Sequence, residues 1–161
     1  MVNLHSQYML LKEEIDSAMA QVIASSDFIN GEQVKLFERA LADFLSVKEL
    51  IPCGNGTDAL QLALMALDLK PGDEVITTAF SFVASAEVIA LMGLKPVFAD
   101  INPLTFNIDP LDIERRLTKR TRVILPVHLF GQAADMSAIM QLAHKYQLYV
   151  IEDVAQAPSA C

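Results

Sequence analysis

The chain has 161 residues, 53% of them hydrophobic, which is enough for one domain with a core and excludes a disordered protein. Its formal net charge of −8 argues against nucleic-acid or anionic-membrane partners, and no apolar run reaches the roughly 18 residues that cross a bilayer. The start of the chain lacks the basic-then-apolar layout of a signal peptide. Two cysteines and three histidines lie scattered, without metal-ligand spacing. We therefore predict a cytoplasmic protein with no metal site.

The chain begins with two predicted amphipathic helices. Apolar residues keep a helical spacing from Leu10 to Val22 and again from Val34 to Leu45, and Asn30-Gly31 separates the two segments. We assign residues 1–47 to these helices and residues 48–161 to a repeat of strands and helices.

Short apolar runs then alternate with amphipathic segments. The predicted strands are 50–53, 74–78, 95–99, 121–127 and 148–151. The predicted helices are 57–67, 84–92, 109–117 with Pro110 near its start, and one capped by Asp135 that runs to Tyr146. Strict alternation predicts an α/β fold, with a mostly parallel sheet sandwiched by helices.

In such a sheet the carboxyl ends of the strands meet at one edge, where open α/β folds bind ligands. Polar residues follow the predicted strands there: Gly54 to Thr57, Thr78 to Phe82, Asp100, His128, and Glu152-Asp153. Lysines precede the strands at the opposite edge: Lys48, Lys70, Lys95 and Lys119. The carboxyl edge is therefore the predicted site.

Gly54-Asn55-Gly56-Thr57 joins a strand to the start of a helix. Glycines permit a tight turn, and the unpaired N–H groups and dipole of a helix N-terminus favour an anion such as phosphate. The alternative is an ordinary tight turn in which a Thr or Asp caps the helix.

Four other side chains at this edge have a structural as well as a functional interpretation. Phe80 or Phe82 could stack on a flat ligand ring or simply pack in the core. His128 could be a general acid, a substrate contact or a structural histidine. Asp153 leaves a buried strand and could be a helix cap, a solvated carboxylate at the sheet edge, or an acid that faces a cation. Pyridoxal phosphate (PLP) fits the anion cradle, the aromatic plane and the carboxylate together, with Asp153 as the partner of its ring nitrogen.

Three blocks of sequence resemble the DegT/StrS-type nucleotide-sugar aminotransferases, which are fold-type-I PLP enzymes: Gly54–Leu60, Thr77–Ala86 and Glu152–Ala157. The resemblance implies a partial large domain of that fold. It implies Gly56 and Thr57 on the cofactor phosphate, Phe82 on the ring, Asp153 on the ring nitrogen as the catalytic acid, and Gln156 beside the ring hydroxyl. It also implies a homodimer that transfers an amino group from glutamate to a nucleotide-linked keto-sugar. The segment Val127 to Gln132 is similar to that of members that act on 3-keto sugars.

The lysine that holds the cofactor in this family lies some two dozen residues beyond the block containing Asp153, and the sequence ends at Cys161. The lysines of this chain lie at the opposite edge or on outer helix faces. We therefore expect residues 1–161 to be a single incomplete PLP-binding domain without the C-terminal domain, inactive alone. Two alternatives stay open: a non-catalytic cofactor-binding or interaction module, and a sugar dehydratase in which histidine replaces the lysine.

Overall fold

The computed structural model describes residues 3–158 of the chain. The described residues form two compact units, which divide after Pro52.

The first unit consists of two helices, as predicted. Helix α1 spans Leu4–Ser25. It is capped by Asn3, whose side chain accepts a hydrogen bond from the amide of Ser6 at 3.1 Å. Helix α2 spans Glu32–Leu45. Every residue of both helices is at least partly exposed, and the apolar stripe expected in α1 includes Leu10 at 85% exposure.

The predicted strand at residues 50–53 is wrong. Leu50 to Cys53 have no regular secondary structure, and Cys53 Sγ lies 3.3 Å from the carbonyl oxygen of Asn55 in a local contact. Pro52 has no amide hydrogen and therefore cannot donate to a strand ladder. The apolar composition of this segment had suggested a strand without showing a partner for it.

The second unit alternates helices and strands. Its elements are α3 Gly56–Met65, β1 Glu74–Thr78, α4 Ala84–Leu91, β2 Lys95–Ala99, α5 Pro110–Arg116, β3 Thr121–Ile124, a short 3-10 helix Leu129–Gly131, α6 Met136–Tyr146 and β4 Tyr149–Val150. Asp135 caps α6 and Pro110 opens α5, as the sequence predicts, whereas Asp109, predicted as the first residue of α5, caps it instead.

The four strands form one parallel sheet in the order β2-β1-β3-β4, and helices cover both of its faces. On one face, Val75 and Val123 pack with Leu64 of α3 and Val88 of α4. On the other face, the next residue of each strand packs with α5 and α6, for example Ile124 with Ile139. Successive side chains along β1 and β3 thus pack into two hydrophobic cores, one on each face of the sheet. The predicted α/β sandwich is confirmed.

Strand β3 ends three residues earlier than predicted because Pro126 interrupts it. The amide of Leu125 still donates to Ile76, but Val127 keeps only an isolated bridge to Asp153. Proline supplies no amide hydrogen, yet its carbonyl oxygen accepts from the amide of Asp153 at 2.9 Å. This bond, with that from the amide of His128 to the carbonyl oxygen of Asp153, holds the segments after β3 and β4 side by side at the carboxyl edge.

Within residues 3–158, no helix combines the length and the apolar character that crossing a membrane requires.

Candidate active site

The start of α3 presents free backbone N–H groups at the carboxyl edge. Asn55 caps the helix: its side-chain oxygen accepts from the amide of Asp58 at 2.9 Å, and its side-chain nitrogen donates to the Asp58 carboxylate at 3.0 Å. The alternative in which a Thr or Asp caps this helix is therefore wrong, because the cap is Asn55. Among the described residues, no protein acceptor is recorded for the amides of Gly56 and Thr57, which leaves two N–H donors at the positive end of the helix.

The loop after β1 carries two exposed aromatic side chains. The amide of Phe80 donates to Thr78 Oγ1 at 3.1 Å, which turns the chain at the end of the strand. Phe80 stacks against Phe106, with the ring centroids 5.8 Å apart. Phe82 is 72% exposed, so the core-packing interpretation does not hold for it.

Asp153 follows β4 and is held by hydrogen bonds from three segments. Its amide donates to Pro126, and its carbonyl oxygen accepts from the amide of His128 at 3.0 Å. On the side chain, Oδ2 accepts from Ser85 Oγ at 3.0 Å and Oδ1 from the amide of Ala155 at 3.2 Å. Asp153 is half-buried and does not cap a helix, so one of its two structural interpretations is removed.

One cavity of about 230 Å³ brings the predicted site residues together. Its lining includes all five of them: Gly56, Thr57, Phe82, Asp153 and Gln156. The helix N-terminus, the exposed ring and the carboxylate therefore face the same space, although almost 100 residues separate the first from the last. The structure thus places these five residues around one cavity, and the role of each stays a prediction.

Gln156 also connects this cavity to a second one. Its Oε1 accepts from the amide of Phe130 at 3.0 Å, so the two amide hydrogens of the Gln156 side chain do not bond to that amide. The second cavity, of about 280 Å³, shares Ser81, Phe82 and Gln156 with the first and adds Phe80 and Phe130. A ligand in the first cavity therefore lies beside an aromatic wall.

The scan of known protein families matches residues 9–160 to the DegT/DnrJ/EryC1/StrS aminotransferase family. The chain belongs to this family.

Two relatives of the chain have established names. A "pleiotropic regulatory protein" of Geobacillus stearothermophilus is 52% identical over 160 residues, which is 99% of this chain and 43% of that protein. The UDP-2-acetamido-2-deoxy-3-oxo-D-glucuronate aminotransferase of Pseudomonas aeruginosa is 48% identical over 156 residues, which is 97% of this chain and 44% of the enzyme.

Among solved structures, NtdA of Bacillus subtilis with bound cofactor PMP superimposes with a TM-score of 0.89 and 42% identity, covering 92% of this chain and 34% of that one. The fold is thus that of the PLP-dependent aminotransferases of this family. The chain spans less than half the length of the relatives it matches.

Within this family member, His128 has a structural role. It is 1% exposed, its Nδ1 accepts from the amide of Ala134 at 3.2 Å, and its Nε2 lies 2.9 Å from Glu152 Oε2. With Nδ1 accepting, Nε2 carries the hydrogen and donates to Glu152. Both ring nitrogens are therefore engaged, and the general-acid and substrate-contact interpretations lose their support.

Asp100, the polar residue after β2, does not join the cavity of Asp153. It lines a separate cavity of about 430 Å³ with Phe80 and Arg116. Its amide donates to Asp112 Oδ2 at 2.8 Å, and this bond is the main reason that the pKa of Asp112 is lowered; burial opposes the shift and Arg116 adds to it. Asp112 thus anchors the end of β2.

Sequence reasoning missed two buried polar residues behind the site. Ser85 donates to Asp153 across 68 residues, and Asn107 binds the backbone of Leu129, Gln132 and Ala133. Ser85 lies within one of the family blocks, which was an available signal. Asn107 lies in the loop between β2 and α5, where nothing in the local pattern indicates a distant partner.

No lysine among the described residues lines the cavity of Asp153. Lys95 pairs with Glu74 at the amino edge, and Lys145 pairs with Glu114 at the end of α6. Lys70 and Lys119 precede β1 and β3, also at the amino edge. The expectation that these lysines lie away from the site therefore agrees with the structure.

Proposed function

We propose that the full-length protein is a PLP-dependent aminotransferase that transfers an amino group from glutamate to a nucleotide-linked keto-sugar, in the biosynthesis of amino sugars for cell-surface polysaccharide. The observation that carries the proposal is the single cavity lined by Gly56, Thr57, Phe82, Asp153 and Gln156. Family membership and the name of the P. aeruginosa relative, an aminotransferase of a UDP-linked 3-oxo sugar, support the substrate class.

The residues present fit the cofactor in chemical type and order. Two free N–H groups at the N-terminus of α3 suit a phosphate. A Cβ built on Gly56 finds no atom within 4 Å, so the backbone here is open to a close approach. An exposed ring and a half-buried carboxylate complete the lining. The cofactor PMP in NtdA supports the same assignment.

Each residue has a defined task in this proposal. The amides of Gly56 and Thr57, with the Thr57 hydroxyl, donate to the cofactor phosphate, and Phe82 packs against one face of the ring. Asp153 accepts the hydrogen of the pyridine nitrogen and so keeps that nitrogen protonated. Gln156 donates a side-chain hydrogen to the ring hydroxyl. When bound, the cofactor supplies an electron sink and carries the amino group.

A protonated ring nitrogen explains why an acid lies at this position. Positive charge on the ring is stabilised by a carboxylate that is itself oriented and partly shielded from water. The carboxylate of Asp153 meets both conditions, since Ser85 and Ala155 hold its oxygens. We assign Asp153 as the catalytic carboxylate on this basis.

We further propose that the full-length protein acts as a cytoplasmic homodimer. Equilibrium sedimentation is expected to give twice the mass of one chain at micromolar concentration. A species with the mass of one chain under those conditions contradicts this part of the proposal.

Transfer of an amino group is tested on the full-length protein with glutamate and a set of nucleotide-linked 3-keto sugars. The expected products are 2-oxoglutarate and the amino sugar. Asp153→Asn is expected to lower kcat about 10²- to 10³-fold, the size of effect seen when one oriented electrostatic group is removed. Asp135→Asn is the matched control, because it makes the same change at a helix cap where Asn also caps well.

The same assay separates the alternatives. Formation of a deoxy-sugar without consumption of glutamate indicates a dehydratase. No turnover of any keto-sugar, with cofactor binding intact, indicates the non-catalytic module, and the name of the G. stearothermophilus relative gives that alternative a specific basis. Unchanged turnover in Asp153→Asn refutes the electronic role of Asp153.

A further inference from the structure

The carboxylate of Asp153 is fixed by one buried hydroxyl. Ser85 is 1% exposed, and its Oγ donates to Asp153 Oδ2 at 3.0 Å. A serine hydroxyl has a single hydrogen to donate, and here that hydrogen is used on Asp153. Ser85 is the second residue of α4, so the contact links this helix to the segment after β4.

The backbone of Asp153 is tied on both sides, but its side chain is not fixed by these ties. The backbone bonds run to Pro126 and His128 and leave the torsions of the side chain free. The amide of Ala155, two positions further along the same loop, donates to Oδ1 at 3.2 Å. Ser85 supplies the contact from a regular, packed element, and a rigid element positions a group more precisely than a loop does.

We propose that Ser85 is a positioning residue for Asp153: its hydroxyl selects the rotamer in which the unused lone pairs of the carboxylate point into the cavity. An ionised carboxylate has about four acceptor sites, of which Ser85 and Ala155 occupy two. The remaining sites are available to the pyridine nitrogen of the cofactor. This inference rests on the proposed function and deepens it.

The proposal predicts an effect on the ring nitrogen itself. Without the Ser85 hydroxyl, Asp153 samples other rotamers, and its hydrogen bond to the ring nitrogen becomes longer on average. Protonation of the ring nitrogen is then less favoured. A side chain that merely fills space in the core would change stability and leave the protonation of a bound ring unaffected.

The test uses the full-length protein loaded with pyridoxamine phosphate that carries ¹⁵N in the ring. In Ser85→Ala the ¹⁵N resonance is expected to move towards that of a neutral pyridine. kcat is expected to fall roughly tenfold, as for the loss of one hydrogen bond to a charged group, with KM for glutamate within about twofold. Ser85→Thr keeps the hydroxyl and is expected to restore the resonance.

Ser137→Ala is the matched control, because Ser137 is also the second residue of its helix, α6, and is exposed. It is expected to leave both the resonance and kcat unchanged. A resonance in Ser85→Ala identical to that in Ser137→Ala overturns the proposal, whether or not kcat falls. If the wild-type and Asp153→Asn proteins give the same resonance, the proposed contact of Asp153 fails, and the role of Ser85 fails with it.

Discussion

Two carboxylates at opposite edges of the sheet differ in burial and in their hydrogen-bond partners. Glu74, at the amino edge, is 4% exposed, and its two oxygens accept from Thr118 Oγ1 and from Lys95 Nζ at 3.0 Å. Asp153, at the carboxyl edge, is half-buried and lines an open cavity. Its carboxylate has acceptor sites that the hydrogen bonds from Ser85 and Ala155 do not use. Glu74 joins the first residues of neighbouring strands, whereas Asp153 follows the end of one.

Under the proposed function, the charge of Glu74 stabilises the fold and the charge of Asp153 binds the cofactor. A buried carboxylate is tolerated when every oxygen has a partner, and removal of one partner is then costly. A carboxylate with unused acceptors next to a cavity is positioned to meet a ligand. The amino edge should therefore respond to substitution in stability, and the carboxyl edge in cofactor affinity and rate.

Glu74→Ala should produce the largest loss of stability among the charged residues. The substitution removes the partner of both Thr118 and Lys95, and hydrogen bonds to charged groups contribute about 1.5–3 kcal/mol each. Lys95 is mostly exposed and is rehydrated, so we expect a loss of about 2–3 kcal/mol. Hydrogen exchange of the β1 amides in the full-length protein measures this loss.

Glu114→Ala is the control for Glu74→Ala. Glu114 also accepts from a lysine and a hydroxyl, but on the surface, where we expect a much smaller loss because water replaces the partners. Affinity for pyridoxamine phosphate is expected to stay the same in both variants. Weaker cofactor binding in Glu74→Ala would show that the two edges are coupled and would break the comparison.

His128→Ala should destabilise the carboxyl edge alone. It leaves the buried amide of Ala134 without its acceptor, at a cost of about 1–3 kcal/mol. We expect faster hydrogen exchange at Ala134 and in the segment after β3, and unchanged exchange rates in β1 at the amino edge. His144→Ala, at an exposed position of α6, is the control. Equal acceleration in both edges would contradict a local role.

The fold could be predicted from the sequence because its signals are local. Strands β1 and β2 begin and end at the predicted residues, and Asp135 caps α6 as predicted. The errors at residues 50–53 and 121–127 both involve a proline within an apolar run. Hydrophobicity favoured a strand there, and the proline supplied no amide hydrogen to the ladder; Pro96 is tolerated in β2 because β2 is an edge strand.

The site could be predicted only in part. Gly56, Thr57, Phe82, Asp153 and Gln156 belong to blocks with recognisable composition, and they do meet in one cavity. The partners that hold them could not be predicted, because Ser85 reaches Asp153, and Asn107 reaches Leu129, only through the packing of separate elements. Such contacts depend on tertiary geometry, which periodicity does not encode.

Acid should weaken the fold through Glu74 at the amino edge and through Asp112, which holds the carboxyl end of β2. The pKa of Glu74 is lowered, first by the hydrogen bond from Thr118 and then by Lys95; that of Asp112 is lowered first by the amide of Asp100. A lowered pKa in the folded state means that the stabilisation is complete above the ordinary values of 4.5 and 3.8 and is lost as the pH falls through the folded values.

The acid effect is measured as the free energy of unfolding between pH 6 and pH 3, a range chosen to bracket these ordinary values of about 4. Stability is expected to decrease as the pH falls, and Glu74→Gln is expected to flatten part of that decrease. Glu32→Gln, at an exposed position of α2, serves as the control. A pH profile of Glu74→Gln parallel to that of the wild type would mean that Glu74 does not contribute to the acid sensitivity.

Phe82→Ala should give the smallest effect and the clearest contrast with Glu74→Ala. Because Phe82 is largely exposed, its removal is expected to change stability by less than about 0.5 kcal/mol. Loss of one aromatic contact is expected to weaken pyridoxamine phosphate binding about 2- to 10-fold. Phe80→Ala is expected to lower stability more than Phe82→Ala does and to leave cofactor affinity unchanged. Phe80 packs against Phe106 and Phe130 and does not line the cavity of Asp153. If both variants lower cofactor affinity equally, the aromatic wall acts as one surface and Phe82 has no separate role.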